Sequence, residues 1–439
     1  MYRRLTRFLL PLVITIVIQE FGGQFLSAGM ARMPDATTTL AAFGLAWSLV
    51  LFLASPLAQS KQMSLVLVED QRTFWMALRF VLAAGLCLVA IQLGLALTPL
   101  GDWVIEDLHR VDPAVGGSVR TVLLWLGPIP IFRGLTLFLA GLLMRARRTE
   151  VVSYATGTSI TLGLLAVFAL LSAPFTRAHP ILLPILVTYV LTLSEFGVML
   201  RGVRRYVVLP ARAIGGKHAH PLSYGGIFRF VWPLAFIMVV QEFSRPLINL
   251  FIARGPNGTE ALAVLTVVYA LGQWPYRWLN EIKNLPPAFH DEDPGLVSIR
   301  RFTAASGLIS LAISLALFWT PLREVILQRL IGVDAAFAAM CRVPLMIYAG
   351  YSLVVMVRAY LHGVGMLERR TQVMAPSAPS RIGAILLALL LLPLFGVHGA
   401  ARGIAALFAG FAVETLVVWW GVRGWALVRS RLQPREVAT

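Results

Sequence analysis

The chain alternates apolar runs of about twenty residues with short polar connectors, and one run carries a polar interruption that is written twice. Arg7 to Arg32 reads RFLLPLVITIVIQEFGGQFLSAGMAR, and Arg229 to Arg254 reads RFVWPLAFIMVVQEFSRPLINLFIAR. The two stretches align without a gap at an offset of 222 residues and agree at ten of twenty-six positions, Glu20 and Glu242 among them. Each glutamate stands thirteen residues after one arginine and twelve before another. At the rise of an α-helix that is ~20 Å along a span, close to the midplane of a bilayer. A carboxylate at that depth costs at least ~2.5 kcal/mol unless it is paired, hydrated or protonated. The pattern predicts a two-fold repeat built around a polar cavity, with these two helices as inner walls.

The apolar runs predict spans over 8–31, 39–60, 74–99, 118–144, 151–173 and 180–200, then 227–252, 259–283, 301–320, 337–362, 371–394 and 399–424. Six spans per half give an all-α polytopic membrane protein of about twelve transmembrane helices in two pseudo-symmetric six-helix bundles. The halves are an N-terminal lobe over 1–200 and a C-terminal lobe over 227–424. A basic linker over 201–226 joins them, and a tail over 425–439 follows. The repeat reaches well beyond the first helix. Val111-Asp112 recurs as Val333-Asp334, Arg120 as Arg342, Gly141 as Gly363, Arg147-Arg148-Thr149 as Arg369-Arg370-Thr371, and Lys61 as Lys283, all at offset 222. Glu195 recurs as Glu414, and Gly202-Val203-Arg204 as Gly421-Val422-Arg423, at offset 219. Parallel repeats of this kind are a transporter plan in which cargo binds near the midplane between the halves.

Composition removes the soluble alternatives. A chain that is 58% hydrophobic and 13% charged, with mean hydropathy +0.77, lies outside the soluble range. The formal net charge of +17 would point to nucleic acid in a soluble protein, but here the basic residues sit in short loops beside apolar spans. Sorted by loop, 24 Lys and Arg fall on the side of both termini and the linker, and nine fall on the other. Both termini are therefore expected in the cytoplasm, with the protein integral to the cytoplasmic (inner or plasma) membrane. The basic start of the chain could pass for a signal peptide, but its twin at mid-chain argues against a cleaved leader. Cys87 and Cys341 both lie in apolar runs without metal or redox spacing. The chain has no phosphate loop, dinucleotide fingerprint, HExxH or plausible triad. No enzyme, metal site or cofactor is expected.

The candidate chemistry lies in charged residues inside spans. Arg133, Arg245, Arg277, Arg358 and Arg381 all fall within apolar runs, four of them in the second half. Arg245 follows Glu242 by three residues and precedes Asn249 by four, so the three share a helix face, and Pro246 frees a backbone carbonyl beside them. Arginine stays charged at any relevant pH and offers a planar fork matched to carboxylate or phosphate, so arginines converging in an aqueous cavity imply an anionic ligand. The substrate-binding set is Arg245, Asn249, Arg358 and Arg381, with Gln24 one turn beyond Glu20 and with Lys283 at the cytoplasmic mouth. Glu20 and Glu242 are the carboxylates for H+ or Na+ coupling. Glu242 could equally neutralise Arg245 as an intrahelical pair. Glu195 and Glu414 lie about two turns from the cytoplasmic end of their spans, where interfacial snorkelling or helix packing is the simpler role. Arg277 beside Trp274, Tyr276 and Trp278 reads as an interfacial anchor, and His362, four residues after Arg358, as a packed histidine.

Several passages resemble a known family. They are RFLLPLVIT from Arg7, LAAFGLAWSL from Leu40, LHRVDPAVG from Leu108, FVWPLAFIMVVQEFSRPLINLF from Phe230 and WPYRWLNEIK from Trp274. They continue as IGVDAAFA from Ile331, VRAYLHG from Val357, APSAPSR from Ala375 and LLPLFGVHGAARG from Leu391. On these the chain resembles the progressive ankylosis (ANK) family, within the multidrug/oligosaccharidyl-lipid/polysaccharide exporter superfamily. The resemblance implies a V-shaped, MATE-like two-lobe exporter of pyrophosphate, ATP and other nucleotides, or citrate and other polycarboxylates. It also implies basic residues at Arg245, Arg358 and Arg381. The chain departs from the vertebrate pattern at Arg133, where an acidic residue is expected, and at Glu242, where a basic one is. The reading is an alternating-access exporter of small anions, working as a monomer in a lipid bilayer without nucleic acid. A flippase for amphipathic or lipid-linked cargo and a non-transporting membrane regulator are the alternatives.

Overall fold

The computed structural model describes residues 1–108, 113–211, 222–255, 257–331 and 333–432, with the side chains of 20–24, 37, 107–108, 113–114, 259, 330–331 and 423–432 outside that description. Among the described residues the structure is helical and holds no strand. The first half comprises α1 (Tyr2–Met30), α2 (Ala36–Ala54), α3 (Ser60–Leu67), α4 (Gln71–Leu97), α5 (Pro113–Trp125), α6 (Ile129–Arg145), α7 (Thr149–Leu171) and α8 (Leu182–Tyr206). The second comprises α9 (Tyr224–Ala253), α10 (Gly258–Gly272), α11 (Leu285–Phe289), α12 (Val297–Phe318), α13 (Ala335–Tyr348), α14 (Tyr351–Leu367), α15 (Ser377–Leu391) and α16 (Gly399–Leu432). Among the described residues nine helical segments are long and apolar enough to cross a membrane, and α5 with α6, bent by 46°, makes a tenth. The 29-residue α1 and the shorter apolar α10 stand where the first and eighth expected spans fall.

The chain divides into two compact units, one of Thr6–Val231 and one of Met1–Leu5 with Trp232–Thr439. The repeat is as visible in the backbone as in the sequence. The 3-10 turns Ser55–Gln59 and Arg277–Asn284 start 222 residues apart, as do α5 and α13, and α6 and α14. Outside glycine, left-handed backbone occurs among the described residues at Asp35 and Asn257, Arg147 and Arg369, and Leu296; the first four form two pairs at the same offset. Each such residue costs of order 1 kcal/mol and persists only where its surroundings fix it.

Particular residues explain particular elements. Asp70 caps α4, accepting from the Thr73 backbone N–H at 2.8 Å, and Asp334 caps α13, accepting from the Phe337 N–H at 2.7 Å. The repeated Val-Asp dipeptide is thus, in its second copy, a helix start; Asp112 lies outside the described residues. Gly363 lets α14 lie against the 3-10 backbone, since a Cβ there would come within 2.7 Å of the Lys283 carbonyl oxygen. At Gly141 the same clash would fall on the carbonyl of Lys61.

Small polar side chains bind the helices where apolar packing alone gives little preference. In the first unit the Thr149 hydroxyl donates to the Phe8 carbonyl at 2.7 Å, and Ser64 to Phe138 at 2.7 Å. In the second, Ser310 and Ser314 meet Ser352 at 2.9 and 3.0 Å. Large apolar residues face outward instead of inward, among them Phe168, Leu394, Phe395 and Trp420, as a lipid-facing surface requires.

Two span expectations change. The eighth span, expected as a continuous helix over 259–283, stops at Gly272 and passes into 3-10 turns. Pro275 has no N–H to continue the helix, and its carbonyl accepts instead from the Trp278 indole and from Ser310. The fourth span, expected unbroken over 118–144, bends where Pro128 and Pro130 begin α6.

Candidate functional site

The second unit holds a buried polar cluster assembled from five segments. Glu414, on α16, is wholly buried at 0% exposure. Its Oε2 accepts from Arg381 Nη1 at 2.7 Å and from Arg358 Nη1 at 3.2 Å. Its Oε1 accepts from Gln241 Nε2 at 2.7 Å. The remaining contacts are equally specific. Arg381, on α15, donates Nε to Ser244 Oγ at 3.0 Å, and Arg358, on α14, donates Nη2 to Asn280 Oδ1 at 2.8 Å. Both guanidinium groups lie over the Phe411 ring, at 4.1 Å for Arg381 and 4.6 Å for Arg358. Phe411 is one turn before Glu414 on α16, so one helix supplies both the anion and the aromatic face. With exposures of 3% and 7%, Arg381 and Arg358 are held almost entirely out of solvent.

An aromatic wall supports this cluster. Tyr348 and Tyr351 stack with centroids 4.6 Å apart, Tyr276 joins them at 5.4 Å from Tyr351, and Phe408 and Phe411 meet Tyr351 at 5.2 and 5.3 Å. The Tyr351 hydroxyl donates to the Ile404 carbonyl at 2.9 Å, fixing α14 to α16.

Arg245 behaves differently. It is exposed, donates Nη2 to Gln273 Oε1 at 3.2 Å and lies 4.9 Å over the Tyr269 ring. It adjoins Ser244 in sequence and so lies next to the buried cluster. Asn249, one turn further along α9, has a buried Oδ1 without a hydrogen-bond partner, and the Tyr269 hydroxyl is also unpartnered. The intrahelical alternative for Glu242 does not form: Glu242 is exposed, and Arg245 bonds to Gln273 instead. Lys283 is half-buried in the 3-10 segment. His362 packs one turn from Arg358 with a buried, unpartnered Nε2. The side chains of Glu20 and Gln24 lie outside the described residues.

Snorkelling at Glu414 is overturned. Glu414 stands eight residues before Val422, where the apolar span ends, yet it is wholly buried with its carboxylate bonded inside the protein, so of the two expected roles packing is the one it has. Sequence reasoning placed Arg358 and Arg381 together but missed their shared anion, along with Gln241, Ser244 and Asn280. The usable signal was the recurrence of glutamate at Glu195 and Glu414 inside apolar helices.

Among the described residues the first unit lacks this arrangement. At the repeat offsets Glu414 corresponds to Glu195 and Gln241 to Gln19, but Arg358 corresponds to Thr136 and Arg381 to Ser159. Glu195 accepts instead from Thr156 Oγ1 at 2.9 Å, with Arg133 as its electrostatic neighbour. The Thr136 hydroxyl is buried without a partner, and Ser159 donates to the Leu191 carbonyl at 2.7 Å. Among the described residues no group of His, Cys, Asp or Glu could hold a metal ion.

Solved structures share the fold over nearly the whole chain. A MATE transporter in a bent conformation aligns with TM-score 0.70 at 14% identity, covering 98% of this chain and 96% of its own. The Vibrio cholerae MATE transporter VcmN, as a point mutant, gives 0.69 at 13%, covering 98% and 97%. A MOP superfamily transporter from Pyrococcus furiosus gives 0.65 at 13%, covering 98% and 96%. These neighbours are transporters, and this chain shares their fold. The family model of the progressive ankylosis protein (ANKH) matches residues 1–320, a stretch that includes Arg245 and Lys283 and ends before Arg358. With that match over most of its length, the chain belongs to the progressive ankylosis family.

Proposed function

We propose that the protein is an alternating-access secondary transporter that exports small organic or phosphorylated anions. The observation that carries this reading is the convergence of Arg358 and Arg381 on one carboxylate oxygen of Glu414. Two guanidinium groups against one carboxylate leave an excess positive charge inside the molecule, and such a charge calls for an anion. Arg245 is the accessible member of the set, with Asn249 and the Tyr269 hydroxyl as unpartnered polar atoms nearby. The substrate set is Arg245, Asn249, Arg358, Arg381, Lys283 and Gln24. The cargo classes are pyrophosphate, nucleotides such as ATP, and citrate or other polycarboxylates. Glu20 and Glu242 couple the cycle to H+ or Na+. The protein works as a monomer with both termini in the cytoplasm. The P. furiosus neighbour has a binding pocket of reverse polarity that suggests a different function, and a buried arginine cluster in this chain is in keeping with such variation on the fold.

The test is flux in proteoliposomes loaded with labelled citrate, pyrophosphate or ATP, with and without an imposed proton gradient. Flux of one anion by the wild type, abolished by Arg245→Ala in a normally inserted protein, is the expected result. No flux of any of the three would shift the assignment to an amphipathic-cargo flippase.

A further inference from the structure

The carboxylate-binding fork formed by Arg358 and Arg381 is already filled. Arg358 and Arg381 carry the planar donors suited to an anionic cargo, yet both spend a terminal N–H on Glu414 of the same chain. That glutamate is held as a bound ligand would be: both oxygens are engaged, its exposure is 0%, and the two cations around it share the Phe411 face. The cluster of two arginines and one glutamate carries net charge +1, and its neighbours Gln241, Ser244 and Asn280 are neutral. The symmetry-related site in the first unit keeps the glutamate, as Glu195, while Thr136 and Ser159 replace the arginines. Glu195 has one hydroxyl donor, Thr156, and one cationic neighbour, Arg133, so the two-arginine fork is particular to the second unit among the described residues.

We propose that Glu414 is a built-in competing anion that sets the charge threshold for cargo at Arg358 and Arg381. This rests on the anion-transport reading above. A carboxylate tethered to α16 is present at the arginines at an effective concentration of order mM or higher. A free monocarboxylate brings one charge to the same fork and does not displace it. A polyanion offers a second carboxylate or phosphate group, engages both guanidinium groups at once and takes the place of Glu414. The exposed Arg245, adjacent to Ser244, gives the incoming anion a first contact beside the buried pair. The glutamate then returns as the cargo leaves, so the arginines are never left without a counter-charge. Glu414 acts in this scheme as a specificity-determining and positioning residue, since it touches the arginines and not the cargo.

The experiment compares wild type, Glu414→Gln and Glu414→Asp, purified in detergent and reconstituted in liposomes, with inorganic pyrophosphate, citrate and acetate as probes. The first readout is the probe concentration that half-maximally raises the thermal unfolding temperature. Removing the competitor is expected to lower it for pyrophosphate and citrate by at least ~10-fold, the low end of measured coupling between close charge pairs. Acetate, inert on the wild type, is expected to become a ligand of Glu414→Gln. In flux assays KM and kcat should fall together, because a cargo no longer displaced by Glu414 leaves slowly. A merely structural glutamate would lower the amount of active protein and leave KM and acetate insensitivity unchanged, which overturns the proposal. If Glu414→Gln does not fold with two uncompensated arginines, Glu414→Asp retains the charge while shortening its reach. It is expected to shift in the same direction by a smaller factor, and a wild-type or weaker response from a folded Glu414→Asp overturns the idea. A wild type that responds to no probe, in binding or in flux, overturns the anion-transport reading and this proposal with it. A responsive wild type with unresponsive variants overturns this proposal alone.

Discussion

Arg245 and Arg381 are both arginines inside apolar helices, yet they should respond to mutation in opposite ways. Arg381 is buried and hydrogen-bonded to Ser244 and Glu414. Arg381→Ala leaves a fully buried carboxylate with one cation fewer, a change that typically costs ~3–5 kcal/mol. Thermal unfolding in detergent should register that loss directly. Arg245 is exposed and makes one long hydrogen bond, so Arg245→Ala should change stability by no more than ~1 kcal/mol while anion flux falls. At this scale the sequence was informative about which residues matter and silent about whom they meet. Counting residues from the helix ends placed Arg358 and Arg381 deep in their spans. Their common partner is 56 and 33 residues away along the chain, and helical periodicity assigns a face, never the neighbour that the face meets. The apparent pairing of Glu242 with Arg245 failed for the same reason: a short spacing on one helix lost to Gln273 on the next segment.

Among the elements, α14 shows how tightly the site is built. It passes so close to the 3-10 segment that Gly363 has no room for a side chain. Gly363→Ala should therefore destabilise by ~1–3 kcal/mol, the usual range for overpacking, and displace Lys283 from its position. Gly383, on α15, faces open space. Gly383→Ala should be neutral or stabilising by up to ~1 kcal/mol, because alanine is the better helix former. The pair of variants, compared by thermal unfolding, separates steric contact from helix propensity. Loss of the cap in Asp334→Ala should cost ~1 kcal/mol in the same assay. Most element boundaries were legible in the hydrophobic runs and in the repeated Gly and Val-Asp positions. The breaks were not, because a proline can kink a span, as at Pro128, or end it, as at Pro275, and composition is the same in both cases.

On the scale of the whole molecule, the duplicated plan was readable before any coordinate, since ten matches in a 26-residue window with no gap fix the offset at 222. The structure adds that the two copies carry unlike chemistry. The second unit sets two arginines on Glu414, while the first leaves Glu195 with a hydroxyl donor and Arg133. If the first unit handles the coupling ion through Glu20, the wild-type transport rate should vary between mildly acidic and neutral pH and Glu20→Gln should not. Matching pH profiles for the two proteins would remove Glu20 from the coupling role.

The strained turns at Asp35 and Asn257, and at Arg147 and Arg369, carry a consequence for ancestry. None of the four is a glycine, so each copy has kept an unfavourable backbone conformation that ordinary substitution could have relieved. The arginines of the second copy and the hydroxyls of the first meanwhile parted company. Descent from one duplicated bundle thus preserved the tight turns of the original while the buried polar chemistry of its two halves diverged.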